Sequence, residues 1–328
     1  FMRFLALPSP SQGVWYLGPI PIRAYGLIIA CAILIAVYWA ARRYETRDGD
    51  RELFYDIALW AVPGGIIGAR VYHVITSPDA YFGKNGNPIM ALAIWNGGLG
   101  IWGAVAGGAL AAWLVVRHRG QRLGPVADSL AVPLLAAQAI GRWGNWFNQE
   151  LFGAPTTLPW GLRIDGAHMP LGYASGTLFH PTFLYESLWN LAGVAALLLI
   201  DKHRSVKSGQ LFSCYIMVYT LGRVWIEMLR IDDAHHFLGL RINVWTSIVV
   251  FILGLVCYLY TGKRAASTTL TEAEITRESS LSEEDGAQTL ETAEASENTV
   301  EDGTDGTVDG ADSPKPSESR PVEDLEAR

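Results

Sequence analysis

Residues 141–153 read GRWGNWFNQELFG, in which Arg142, Asn145 and Asn148 recur at steps of three, followed by Glu150 and Gly153. Such steps bring side chains to one helical face. A guanidinium is planar, always charged and carries paired donors, so Arg142 suits bidentate recognition of a phosphate. A second stretch, YTLGRVWIE, spaces Tyr219, Arg223 and Glu227 by four, again on one face. That stripe fits a buried structural ion pair in which Glu227 neutralises Arg223. It equally fits an anion site in which Glu227 orients the guanidinium. Two arginines aimed at one cavity suggest a phosphate-bearing lipid as ligand. Arg70 also sits in an apolar run, and either snorkels to the interface, lines the site or pairs with a carboxylate such as Asp128.

The elements that must hold these residues are apolar. The chain has 328 residues, 50% hydrophobic and 17% charged, with a formal net charge of −7. Residues 265–328 hold 18 acidic and 4 basic side chains and no aromatic ring, so the body 1–264 is basic and contains all the aromatics. The body carries apolar runs over Tyr25–Ala41, Leu53–Ile75, Trp95–Val116, Val126–Phe147, Phe183–Ile200, Leu211–Leu229 and Val244–Tyr260. About 20 apolar residues span the hydrocarbon core, so an all-α polytopic membrane protein of about seven transmembrane helices is expected. Pro63 and Pro133 interrupt the second and fourth runs, which membrane helices tolerate. A plain cytosolic enzyme is excluded.

Lys and Arg concentrate in alternate connections: Arg42, Arg43, Arg47 and Arg51, then Arg117, Arg119 and Arg122, then Lys202, Arg204 and Lys207, then Lys263 and Arg264. The opposite side has only Arg3, Arg23, Lys84, Arg163, Arg230 and Arg241. By the positive-inside rule the N-terminus is outside and the C-terminus cytoplasmic. No cleavable signal peptide is expected in residues 1–21, with Met2 the natural start. The segment 148–182 is expected to form a small external cap of short strands or loops. The tail 265–328 is expected to be disordered and dispensable, since it is too polar to bury a core. Gly64/Gly68 and Gly103/Gly107 match the small-xxx-small spacing of closely packed helices, and WNGGLG reads as a non-helical entry to the third span. Cys31, Cys214 and Cys257 stand singly, as packing residues.

GRWGNWFNQELFG resembles the signature of bacterial prolipoprotein diacylglyceryl transferases. RAYG at the first span, WNGGLGIWG in the third, HPTFLYES opening the fifth and YTLGRVWIE in the sixth extend the resemblance over residues 15–262. It implies an enzyme of the bacterial cell membrane acting in lipoprotein biosynthesis. The diacylglyceryl group of phosphatidylglycerol moves to the lipobox cysteine thiol of a prolipoprotein signal peptide, leaving a thioether and glycerol 1-phosphate. The implied partners are those two substrates and membrane lipid, without nucleic acid, and no metal or soluble cofactor is implied.

Residue by residue, the resemblance points to Tyr25, Arg142, Asn145, Glu150, Gly153, Tyr219, Arg223 and Glu227. Arg142 and Arg223 would hold the phosphate and stabilise the leaving group's charge. Glu227 would orient Arg223, Asn145 and Tyr25 would bond headgroup oxygens, and Gly153 would allow a tight turn. The chain departs from the family at Trp102, where many members have a histidine read as the general base. His180 is then the candidate base, with Glu150 and Glu227 as alternatives. An anionic-solute transporter would also explain intramembrane arginines, but the related halves usual in transporters are missing.

Overall fold

The computed structural model describes residues 6–83, 86–204 and 206–263; the acidic segment 265–328 lies outside them. Seven long helices follow the seven apolar runs: α1 (Ala24–Glu45), α2 (Glu52–Thr76), α4 (Ile101–His118), α5 (Leu123–Asn148), α6 (Thr182–His203), α7 (Gln210–Leu229) and α8 (Ile242–Lys263). A short helix, α3 (Asp79–Phe82), lies between α2 and α4. Six of the long helices are long and apolar enough to cross a membrane, while α7 carries Gln210, Arg223 and Glu227 along an otherwise apolar 20 residues. The helices run unbroken through Pro63 and Pro133.

The third span is shorter than its apolar run. It begins at Ile101 rather than Trp95, because Gly97 (φ +84°) and Gly98 (φ +71°) take left-handed conformations that no right-handed helix admits. Arg70 explains how this entry is held. Its guanidinium is buried and donates to the carbonyls of Ala91 (2.8 Å), Gly97 (2.6 Å), Gly98 (3.0 Å) and Met90, with its charge 5.2 Å from the Tyr81 ring centre. Asp128 is engaged elsewhere, accepting from the N–H groups of Gly209 (2.6 Å) and Phe212 (2.9 Å) at the start of α7. Arg70 is thus a bracket for the loop before α4.

Packing follows side-chain size. α2 lies close on α4, where a methyl at Gly68 would strike the Gly103 carbonyl and one at Gly103 the Gly68 carbonyl. α1 packs on α5, and α5 on α6 and α7. At one end Arg43, in α1's last turn, and Arg47, just past its end, meet Asp201 of α6 at 2.8 and 2.6 Å. At the other end lies the cap. β1 (Leu7–Pro8) pairs in parallel with β4 (Leu162–Arg163), which pairs antiparallel with β5 (Leu178–Phe179), over buried Phe152, Leu162, Ile164, Phe179 and Phe183. Two hairpins flank it, β2 (Val14–Leu17) with β3 (Ile20–Arg23), and β6 (His236–Phe237) with β7 (Leu240–Arg241). Trp143 and Trp146 tie α5 to α6 and to the cap: their indole N–H groups donate to Ser187 Oγ (3.2 Å) and the Pro8 carbonyl (3.0 Å).

Candidate active site

Three helices converge at the cap end. α5 carries Arg142 and Asn145 in its last two turns, α6 carries Glu186 in its second turn, and α7 carries Tyr219, Arg223 and Glu227 along one face. Glu186 is the meeting point. Its carboxylate pairs with Arg142 Nη2 at 2.6 Å through one oxygen and with Arg223 Nη1 at 3.3 Å through the other. Glu227 pairs with Arg223 at 2.6 Å, at the i,i+4 distance read from the sequence. Two guanidinium groups from different helices are thereby held side by side by one buried carboxylate.

Glu227 has a second task. It is wholly buried and also accepts from Arg230 (3.2 Å), Arg241 (2.9 Å) and Asn243 (2.9 Å), all from the loop and helix after α7. Burying a lone carboxylate would be costly; pairing and hydrogen bonding offset that cost. Arg230 spends Nε and Nη2 on Asp232 (2.7 and 2.8 Å) and Nη1 on Glu227. Arg241 spends Nε on Glu227, Nη2 on Asp232 (2.9 Å) and Nη1 on the carbonyls of Arg230 (3.1 Å) and Asp232 (3.0 Å). These two arginines have every nitrogen engaged and side chains only 8% and 9% exposed. Arg142 and Arg223 differ: their side chains are 21% and 16% exposed, and contacts such as Arg142–Asn145 (3.4 Å) are long. Beside one short ion pair each, at 2.6 Å, Arg142 and Arg223 are thus less fully engaged than Arg230 and Arg241.

The other sequence candidates group around Arg142. Asn145 accepts from Arg142 and donates to Glu150 Oε1 at 2.9 Å, which Asn148 also reaches at 3.1 Å. Tyr219 reaches the Arg142 side chain. Tyr25, in the first turn of α1, is half-exposed and packs its ring on Gly144, where a methyl would fall 2.5 Å from Cδ2. Arg142 and Glu150 are within electrostatic reach of its hydroxyl. A cavity of about 10 Å³ lies among Arg142, Asn145, Leu151, Thr182, Phe183, Glu186 and Arg230.

Gly153 is a packing residue: its N–H donates to the His180 carbonyl at 2.9 Å, and a methyl there would meet the Leu229 carbonyl at 2.9 Å. His180 has Nδ1 3.1 Å from the Tyr185 hydroxyl, and Tyr185 accepts from Trp160 at 3.1 Å. Trp102 lies in the first turn of α4, half-exposed.

Sequence reading missed Glu186, Arg230, Asp232, Arg241 and Asn243. Glu186 had a signal, since the cost that singles out an arginine in an apolar span applies equally to a carboxylate. Arg230 and Arg241 entered only as interfacial charges.

The family model of prolipoprotein diacylglyceryl transferases matches residues 12–260. A protein of Frankia alni, called phosphatidylglycerol–prolipoprotein diacylglyceryl transferase, is 56% identical over 259 residues, covering 79% of this chain and 68% of its own. A Streptomyces coelicolor protein of that name, numbered 2, is 54% identical over 264 residues, 80% of this chain and 83% of its own. One from Bifidobacterium adolescentis is 46% identical over 314 residues, 90% of this chain and 92% of its own. A match from residue 12 to residue 260, taking in both arginine-bearing motifs, shows that the chain belongs to the prolipoprotein diacylglyceryl transferase family.

Proposed function

We propose that the chain transfers the diacylglyceryl group of phosphatidylglycerol to the lipobox cysteine thiol of a prolipoprotein, with Arg142 and Arg223 holding the lipid phosphate. The observation that carries this reading is the Glu186 bridge, which holds two incompletely engaged guanidinium groups together at the edge of an apolar bundle. The connected ion pairs join four arginines to three carboxylates, leaving one positive charge for the phosphodiester. The polar cluster sits at the bundle end opposite the Lys/Arg-rich connections, which favours reaction at the outer face, with the N-terminus outside and the C-terminus cytoplasmic.

In the reaction the cysteine sulfur attacks the glyceryl carbon bonded to the phosphate oxygen. The carbon–sulfur bond forms as the carbon–oxygen bond breaks, the thiol proton passes to water, and glycerol 1-phosphate departs with the electron pair. Charge grows on the departing phosphate, where paired guanidinium donors act most strongly because water is largely excluded. Glu227 orients Arg223, Asn145 and Glu150 orient Arg142, and Tyr25 and Tyr219 offer hydroxyls to headgroup oxygens. Detergent-solubilised protein mixed with headgroup-labelled phosphatidylglycerol and a lipobox peptide tests this. Release of glycerol phosphate with a lipidated peptide, both absent with Arg142→Ala, is expected; absence of transfer by the folded protein would refute the reading.

A further inference from the structure

The turn that ends α5 has the geometry of a glycine turn without a glycine. Gln149 is left-handed (φ +51°, ψ +47°), its N–H donates to the Trp146 carbonyl (3.3 Å), and the Glu150 N–H donates to the Asn145 carbonyl (3.2 Å). These are the two bonds of a Schellman motif, whose left-handed position usually takes glycine. Leu151 is left-handed as well (φ +60°). Glu150 therefore sits between two strained residues, and the turn folds its carboxylate back over Asn145 and Asn148.

The Gln149 side chain compensates. It is 4% exposed, and its amide group donates to the Pro10 carbonyl (3.0 Å) and to Asp165 Oδ2 (2.7 Å) while accepting from the Asp165 N–H (2.8 Å). The reciprocal pair joins the α5 turn to the cap next to β4. We propose that Gln149 and Asp165 form a clip of positioning residues that holds Glu150 in place and, through Asn145, sets the orientation of Arg142. The proposal rests on the reading that Arg142 holds the phosphate.

The clip makes a prediction that a plain cap does not. Alanine at 149 keeps the conformational strain and removes the tether, whereas glycine removes both. Q149A should lower kcat about tenfold while KM for phosphatidylglycerol changes less than about twofold, because a slightly displaced group costs rate more than binding. Q149G should lose about as much as Q149A, because glycine relieves the strain but leaves the tether broken, whereas a plain cap would be rescued by glycine. D165A should resemble Q149A. Asn148 steadies Glu150 from the other side, so D165A and N148A should lose less together than the product of their separate losses, the signature of one shared target. If all these variants transfer as the parent does, if Q149G recovers while Q149A does not, or if D165A and N148A multiply, the clip is wrong while the reaction stands. If the parent does not transfer at all, both fail.

Discussion

Arg142 and Arg70 look alike in sequence, each an arginine inside an apolar run, yet the structure uses them oppositely. Arg70 is closed in by main-chain carbonyls of the 90–98 loop, and its charge rests against the Tyr81 ring. Arg142 meets one carboxylate, one distant amide oxygen and a phenol, and keeps a fifth of its side chain exposed. Arg223 resembles Arg142, while Arg230 and Arg241 resemble Arg70. An arginine in a membrane helix thus shows its work by where its donors go. Those already spent shape backbone or steady a carboxylate, and those with room are the ones we propose for the phosphate.

The largest effect should come from the available pair. Arg142→Lys keeps the charge but loses the planar fork, and kcat/KM should fall at least about 100-fold, near 2.7 kcal/mol of transition-state stabilisation. The transfer assay reads it directly; near-normal turnover would end the bidentate assignment and with it the contrast to Arg70. Glu186→Gln should follow. It leaves two guanidinium groups facing each other, at about 2 kcal/mol in stability, the low end for a broken buried pair because the amide still accepts one hydrogen bond. Glycerol 1-phosphate should restore that loss, raising the thermal midpoint of the variant more than that of the parent. Equal shifts would mean that the anion binds elsewhere.

Arg70→Met tests the other side of the comparison. Buried carbonyls of the loop lose their donors, which should cost about 1–2 kcal/mol after partial rewetting. The kcat of the protein that remains folded should stay within about twofold, because Arg70 has nothing left to offer a phosphate. A loss of kcat as deep as that of Arg142→Lys would place Arg70 in the site and dissolve the distinction.

Much of this arrangement was legible in the sequence. The apolar runs marked all seven long helices, although α7 with Gln210, Arg223 and Glu227 is less apolar than the six that qualify as spans by length and hydropathy, and spacing by four was enough to pair Arg223 with Glu227. Glu186 was harder, since a single carboxylate in HPTFLYESLW reads as the polar start of a span. Arg230 and Arg241 were hidden by a rule that counts outer charges for orientation and ignores their partners. The turn at Gln149 left no mark, because the signal for a left-handed cap is glycine and here the compensation comes from Asp165, sixteen positions away. The late start of α4 was half visible: the glycines of WNGGLG announced an irregular entry, but Trp95 is apolar enough to extend the run.

The smallest effect concerns the spent pair. Burial would raise the Asp232 carboxyl, but hydrogen bonding to Arg230 and the charges of Arg230 and Arg241 outweigh it and hold the group below the usual aspartate range. A carboxyl depressed in the folded state contributes stability in full above its unfolded pKa, about 3.9, and loses it as pH falls through the lowered value. Asp232→Asn removes that contribution. The parent's thermal midpoint should therefore exceed the variant's by a constant margin above about pH 5, and the margin should shrink as pH falls through the lowered pKa of the Asp232 carboxyl. Other carboxylates titrate in both proteins and cancel from the difference. Turnover should change little at neutral pH, since Glu227 still holds Arg223 at 2.6 Å. A margin that persists unchanged into acid would mean that Arg230 and Arg241 are held by their carbonyl and Glu227 contacts alone. They would then be freer to meet an anion than their engaged nitrogens indicate.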